Sequence, residues 1–264
     1  MSILDDIIRV KKQDLKKRQR DLPLSELDDR IRGRGPCELF EQALCTPDPV
    51  AVIAEIKKAS PSAGTIREDF DPEAIARSYA ESGANAISIL TEERFFQGDI
   101  EYLLNVRDSV DLPLLRKDFI IEPYQVLEAR AYGADAVLLI VAALSKTQCR
   151  ELSGAAKECG MECLMEVHDV KEVEFTLGEG YPLVGINNRN LDSFTVDLRT
   201  TEKLAGICPK DVTIISESGI KTREDIERLS KAGISAVLVG ESLMREDDVG
   251  TALQEFTGVP KCRA

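Results

Sequence analysis

Eight short apolar runs recur from residue 50 onward, separated by stretches with helical periodicity, and that alternation leaves few folds open. The runs are Val50 to Ile56, Ala86 to Leu90, Leu112 to Arg116, Ala136 to Val141, Glu162 to Val167, Leu183 to Ile186, Val212 to Ser216 and Ser235 to Val239. Strand patterns that alternate with helical ones, such as Pro72 to Ser82, Pro123 to Tyr132, Lys146 to Glu158 and Thr222 to Lys231, imply a parallel sheet. Gly83, Gly133, Gly160, Gly180 and Gly233 each stand just before a strand, where a helix closes on a left-handed residue. Eight such units suit a closed (β/α)8 TIM barrel better than an open doubly wound sheet. No G-x-G-x-x-G opens the first unit, which weakens a dinucleotide-binding alternative.

The first 47 residues stand apart as a helical extension, with residues 48–264 forming the barrel of a single α/β domain. Ile3 to Arg20 and Leu22 to Ile31 read as helices whose apolar residues, Leu4, Ile7, Ile8 and Leu15 among them, need a surface to pack on. With 264 residues and 43% of them apolar, the chain has enough material for one large core. A formal net charge of −13 argues against nucleic acid or an anionic membrane as partner, since both reward clustered cations. The amino end lacks the apolar stretch of a signal peptide, so a cytoplasmic location is expected. Seven cysteines without a C-x-x-C pair, and one histidine, give neither a metal site nor a disulfide framework.

Chemistry is suggested first by Glu55 and Lys57, which alternation places on one face of an apolar strand with Ile53. Burying ions costs several kcal/mol even when they are paired, so a functional use competes here with an ordinary strand-end ion pair. Ser60, Pro61 and Ser62 then form a loop of small residues suited to the mouth of a site. Active sites of such barrels gather at the carboxyl ends of the strands. There the chain places Arg116-Lys117-Asp118-Phe119, Glu166, Asn187-Asn188-Arg189, Glu217-Ser218-Gly219 and Gly240-Glu241-Ser242. Asp118, Asn188, Asp169 and Ser242 read as caps or rim residues, and His168 as a rim residue without a role. Ser218-Gly219 and Gly240-Glu241 place glycines where backbone N–H groups can hold a phosphate; Glu241 would serve only through its N–H, its carboxylate turned away.

The segment Ile53-Ala54-Glu55-Ile56-Lys57-Lys58-Ala59-Ser60-Pro61-Ser62 resembles the signature of the indole-3-glycerol-phosphate synthase family of tryptophan biosynthesis. Leu90-Thr91-Glu92, Phe95-Phe96-Gln97-Gly98, Arg116 to Phe119, Leu164 to Val167, Gly185 to Leu191 and Ser216 to Ile220 resemble that family in the same order. The resemblance implies a carboxy-lyase that closes the ring of 1-(2-carboxyphenylamino)-1-deoxyribulose 5-phosphate with loss of carbon dioxide and water. It also implies no cofactor, no metal, and a small phosphorylated substrate as partner. A monomer is expected, with at most weak association with other enzymes of the pathway.

By the same resemblance Lys117 is the first acid, and Glu166 is the base or the stabiliser of positive charge on the anilino nitrogen. Glu55 and Lys57 are then candidates for dehydration, the sequence leaving open which Lys/Glu pair serves which step, while Asn187 bonds near the reacting atoms and Glu217 completes the charged set. Ser218, Gly219, Gly240 and Glu241 hold the phosphate with Lys57, while Ser60 and Arg189 contact the anthranilate end. Phe96, Phe119 and Leu138 form the pocket, although Leu138 is as readily a core residue. The amino-terminal helices lie over the mouth. Two alternatives stay open: another phosphosugar enzyme of this fold, an isomerase or a Schiff-base aldolase using Lys57 or Lys117, or a barrel that binds phosphate without catalysis.

Overall fold

All eight apolar runs become strands of one closed parallel barrel: β1 (Ala51–Ile56), β2 (Ala86–Leu90), β3 (Leu114–Lys117), β4 (Ala136–Ile140), β5 (Glu162–Val167), β6 (Leu183–Asn187), β7 (Thr213–Glu217) and β8 (Ala236–Val239). The computed structural model describes residues 3–191 and 193–262. Each strand pairs with the next in sequence, and closure comes from Ala51 of β1 lying opposite Ala236 of β8. Closure leaves no strand edge to protect.

Alternation sorts the strand residues into two cores. Ala51 and Ile53 point into the barrel with Leu115, Leu138, Leu164, Ile215 and Leu238, whereas Val52, Ala54 and Ile56 point outward into the larger core beneath the helices. Parity therefore carries Glu55 and Lys57 to the inner side. The predicted helices form with ends shifted by at most one residue: Pro72–Glu81, Pro123–Ala131, Lys146–Glu158 and Arg223–Ser230. All five predicted stop glycines have positive φ, from 74° at Gly160 to 95° at Gly83. β3 starts two residues later than its apolar run because Pro113 has no N–H to donate, and it extends one residue further, so that Lys117 is its last member.

The extension divides its work between the two ends of the barrel. Helix α1 (Ile3–Asp21) and helix α2 (Leu24–Arg32) lie near the Pro123–Ala131 helix, where Tyr124 Oη donates to the Leu22 carbonyl at 2.8 Å. A third helix, α3 (Phe40–Leu44), has no counterpart in the sequence reading; Phe40 and Leu44 are fully buried in the barrel's inner core, among Ala51, Ile53 and Ala236. Those two side chains are four apart and contribute about 1.5–3 kcal/mol each by burial, so α3 is part of the core rather than an appendage. Among the described residues no helix is long and apolar enough to cross a membrane.

A buried ion network ties α1 to the barrel. Lys11 Nζ lies 2.7 Å from Asp118 and 3.9 Å from Glu92, and Asp118 also accepts from Thr91 and Arg116 at 2.7 and 3.1 Å. Arg116 continues to Glu128 at 2.9 Å, and Arg18 of α1 joins the same Glu128 carboxylate. Burial would raise the Asp118 carboxyl, but Lys11 and Arg116 more than reverse that and hold it below the usual carboxylate range. Three cations meet three anions, which explains how so much charge is tolerated out of water. Asp169 caps the Val170–Gly178 helix as expected and Ser242 bonds to the Ile220 carbonyl, but Asp118 and Asn188 are structural as buried network members, Asn188 bonded to Ser216 and Thr201, rather than as caps or rim residues.

Candidate active site

At the carboxyl ends of the strands the inner core stops and charged side chains take over, as parity requires. They line one cavity of about 860 Å³, and every candidate residue named from the sequence borders it: Glu55, Lys57, Ser60, Phe96, Lys117, Phe119, Leu138, Glu166, Asn187, Arg189, Glu217, Ser218, Gly219, Gly240 and Glu241. Leu138 is both things the sequence allowed, an inner-core residue and part of the cavity wall.

Lys117 Nζ sits between two carboxylates, 3.1 Å from Glu166 Oε2 and 2.9 Å from Glu217 Oε2. Burial alone would depress the ammonium, but Glu217, Glu166 and Glu55 around it raise it above the ordinary lysine value. The two carboxylates are driven apart. Burial would raise Glu166, yet Lys117, His168 and Asn187 hold it well below the usual range. Glu217 goes the other way: burial, opposed by Lys117 but reinforced by neighbouring Glu166, lifts it well above that range. Its Oε1 has no hydrogen-bond partner among the described residues. A second pair, Glu55 Oε1 and Lys57 Nζ at 2.6 Å, stands where β1 ends.

Two glycines make room for these carboxylates. A Cβ on Gly185 would overlap Glu217 Oε1, and one on Gly240 would overlap Glu55 Oε1. Gly240 therefore has a packing duty besides any ligand contact. Gly185→Ala is expected to push Glu217 off Lys117 and lower kcat about 10²-fold, since displacements near 1 Å at reacting groups cost that much. Steady-state kinetics with circular dichroism checks this, and an unchanged kcat in a folded variant would contradict it.

The rim is shaped by the loops. Ala59–Ser60 and Gly64–Thr65 form a tight antiparallel hairpin after β1, and Ser60 Oγ accepts from Ala63 N at 3.2 Å. Ser218 and Gly219 are consecutive left-handed residues, with φ of 66° and 82°, which re-aims the backbone directly after β7. The Glu241 carboxylate is engaged by Arg245 at 2.7 Å and lies 3.9 Å from Arg189. Asn187 Oδ1 accepts from Arg189 N at 3.0 Å, and the Phe96 and Phe119 rings are 6.2 Å apart.

The roof expected from the amino-terminal helices is present, whereas a neighbour was overlooked. Ile3, Leu4 and Ile7 of α1 line the cavity, a contact between segments far apart in the chain. His168, given no role, lies with Nε2 3.2 Å from Glu166 Oε1. No group of three or more metal-binding side chains occurs among the described residues.

Residues 4–256 match the family model of indole-3-glycerol phosphate synthase. The indole-3-glycerol phosphate synthase of Sulfurimonas denitrificans is 49% identical over 257 residues, covering 96% of this chain and 98% of that one. Those of Rhodopirellula baltica and Acetivibrio thermocellus are 48% and 46% identical, covering 96% and 97% of this chain and 97% and 100% of theirs. Among solved structures, a thiamine phosphate pyrophosphorylase from Pyrococcus furiosus superposes with a TM-score of 0.59 at 17% identity, over 78% of this chain and 93% of that one, a likeness of fold alone. Matched over nearly its whole length by the family model and by these relatives, the chain belongs to the indole-3-glycerol phosphate synthase family.

Proposed function

We propose that ring closure runs through Lys117, Glu166 and Glu217 and that Glu55 and Lys57 serve the dehydration. The observation that carries this assignment is the Lys117 ammonium held between two carboxylates in the cavity at the strand ends. As a member of its family the chain forms indole-3-glycerol phosphate, with release of carbon dioxide and water.

The ring carbon bearing the carboxylate attacks the ketone, and Lys117 gives a proton to the oxygen as charge builds there. Positive charge then resides on the anilino nitrogen and ring, opposite Glu166, which its neighbours keep ionised. Loss of carbon dioxide returns the bonding electrons to the ring. Glu217, raised toward neutrality, is suited to returning a proton to Lys117. For dehydration, Lys57 protonates the departing hydroxyl and Glu55 takes a proton from the adjacent methylene. Two protons are given and one taken, so one enters from solvent per turnover, balancing the carboxylate lost as neutral carbon dioxide.

Ser218, Gly219, Gly240 and Glu241 offer backbone N–H groups to the phosphate, with Lys57 nearby, while Ser60 and Arg189 meet the anthranilate end. Phe96, Phe119 and Leu138 pack on the aromatic ring. The first helix of the amino-terminal extension roofs the cavity through Leu4 and Ile7. All these groups come from one chain, which supports action as a monomer, and seven free cysteines support a reducing, cytoplasmic setting. A Schiff-base mechanism at Lys117 is disfavoured, because a nucleophilic lysine needs a lowered pKa and this one is raised.

Purified protein given the carboxyphenylamino-deoxyribulose phosphate is expected to generate indole fluorescence without added metal or nucleotide. Silence under those conditions would sink the assignment.

A further inference from the structure

We infer that His168 is a positioning residue for Glu166, holding that carboxylate ionised and aimed at Lys117 from outside the substrate cavity. His168 lies one residue past the end of β5, so its direction is set by its contacts rather than by strand parity. Its imidazole fills the space between two carboxylates: Nδ1 is hydrogen-bonded to Glu172 Oε2 at 3.2 Å, and Nε2 lies 3.2 Å from Glu166 Oε1 as a charge contact outside hydrogen-bond geometry. Glu172, in the first turn of the Val170–Gly178 helix, also accepts from the His168 backbone N–H at 2.7 Å, which pins the ring through both its backbone and its Nδ1. Glu166 therefore spends one oxygen on Lys117 and turns the other to His168.

The imidazole borders a second, outer hollow of about 440 Å³, shared with Lys171, Asp197, Arg199 and Lys203, and is absent from the lining of the substrate cavity. Asp197 and Arg199 pair with each other, so the carboxylates in contact with the ring are Glu166 and Glu172. Burial would depress the imidazole, and those two carboxylates more than reverse it, raising it to about 10. A cation fixed on the outer oxygen makes protonation of Glu166 unfavourable. Glu217, which has no such support, is left as the member of the pair that exchanges a proton. This step rests on the part proposed for Glu166 above.

The chain has one histidine, so imidazole NMR of the untagged protein reports on this residue alone. The ring is expected to stay protonated through neutral pH, titrating roughly two units or more above the ordinary value near 6.5. A midpoint near that ordinary value would overturn the inference whether or not any variant folds. In His168→Gln, kcat at neutral pH is expected to fall roughly tenfold, and the acid limb of its pH profile to move up by about one unit, with KM little changed. An acid limb that stays in place would overturn the inference, since a merely structural loss lowers kcat without moving it. Glu166→Gln separates the two claims: if it keeps near wild-type kcat, the part given to Glu166 fails, and if it is inactive while His168→Gln leaves the limb unmoved, only His168 is reassigned.

Discussion

Lys117→Met is expected to lower kcat by roughly 10²- to 10⁴-fold while leaving KM within a few-fold of its starting value. An acid used in the transition state contributes on that scale, and its loss falls on the rate rather than on binding. The substitution fits the site sterically, because methionine keeps most of the lysine stem. It nevertheless leaves Glu166 and Glu217 facing one another without the ammonium now 3.1 and 2.9 Å away. Glu217, already raised, will then take up a proton at higher pH still. Stopped-flow and steady-state kinetics at several pH values check both points, and a variant with nearly full kcat would remove Lys117 from the chemistry.

The second large effect concerns folding. Asp118→Asn is expected to cost about 3 kcal/mol of stability near neutral pH, because it removes the carboxylate nearest Lys11 and leaves the two buried cations only Glu92 at 3.9 Å and Glu128 at 2.9 Å. The pH dependence follows from the direction of the shift. The Asp118 pKa is lower in the folded chain than in the unfolded one, so its contribution is present above the unfolded value near 3.9 and is lost as pH falls through the lower folded value. The difference between wild type and variant should therefore shrink in acid. Urea unfolding at neutral and acid pH measures it, and a loss below about 1 kcal/mol would show that the pair behaves like an exposed one. Because Lys11 belongs to the helix whose Leu4 and Ile7 roof the cavity, KM should rise as well.

The barrel was legible because its strands are buried on both faces and its helices stop on glycine. A run such as Ala136 to Ile140 has no polar face to obscure it, and Gly83 or Gly133 marks the turn that follows a helix. Within the site, parity alone sent Glu55 and Lys57 inward, and the family signature supplied the rest. What stayed hidden depends on contacts between distant segments. Nothing in the sequence near Arg18 points to Glu128, 110 residues away, and the Pro123–Ala131 helix carries Gln125, Glu128 and Arg130 yet is buried nearly all round because the extension covers it. α3 is five residues long, too short for periodicity to show, although Phe40 and Leu44 fill the barrel's inner core. His168 was passed over because a histidine just past a strand end has no fixed direction until Glu172 pins it.

Whether Lys117 and Glu166 act together in one transition state is tested most directly by single-turnover rates for Lys117→Met, Glu166→Gln and the double variant. Residues that work as a unit are not additive, so the double variant is expected to be no slower than the slower single one, within about tenfold. Losses that multiply, each substitution costing as much in the presence of the other as alone, would show that the two groups act independently and would contradict the clamp as the catalytic centre.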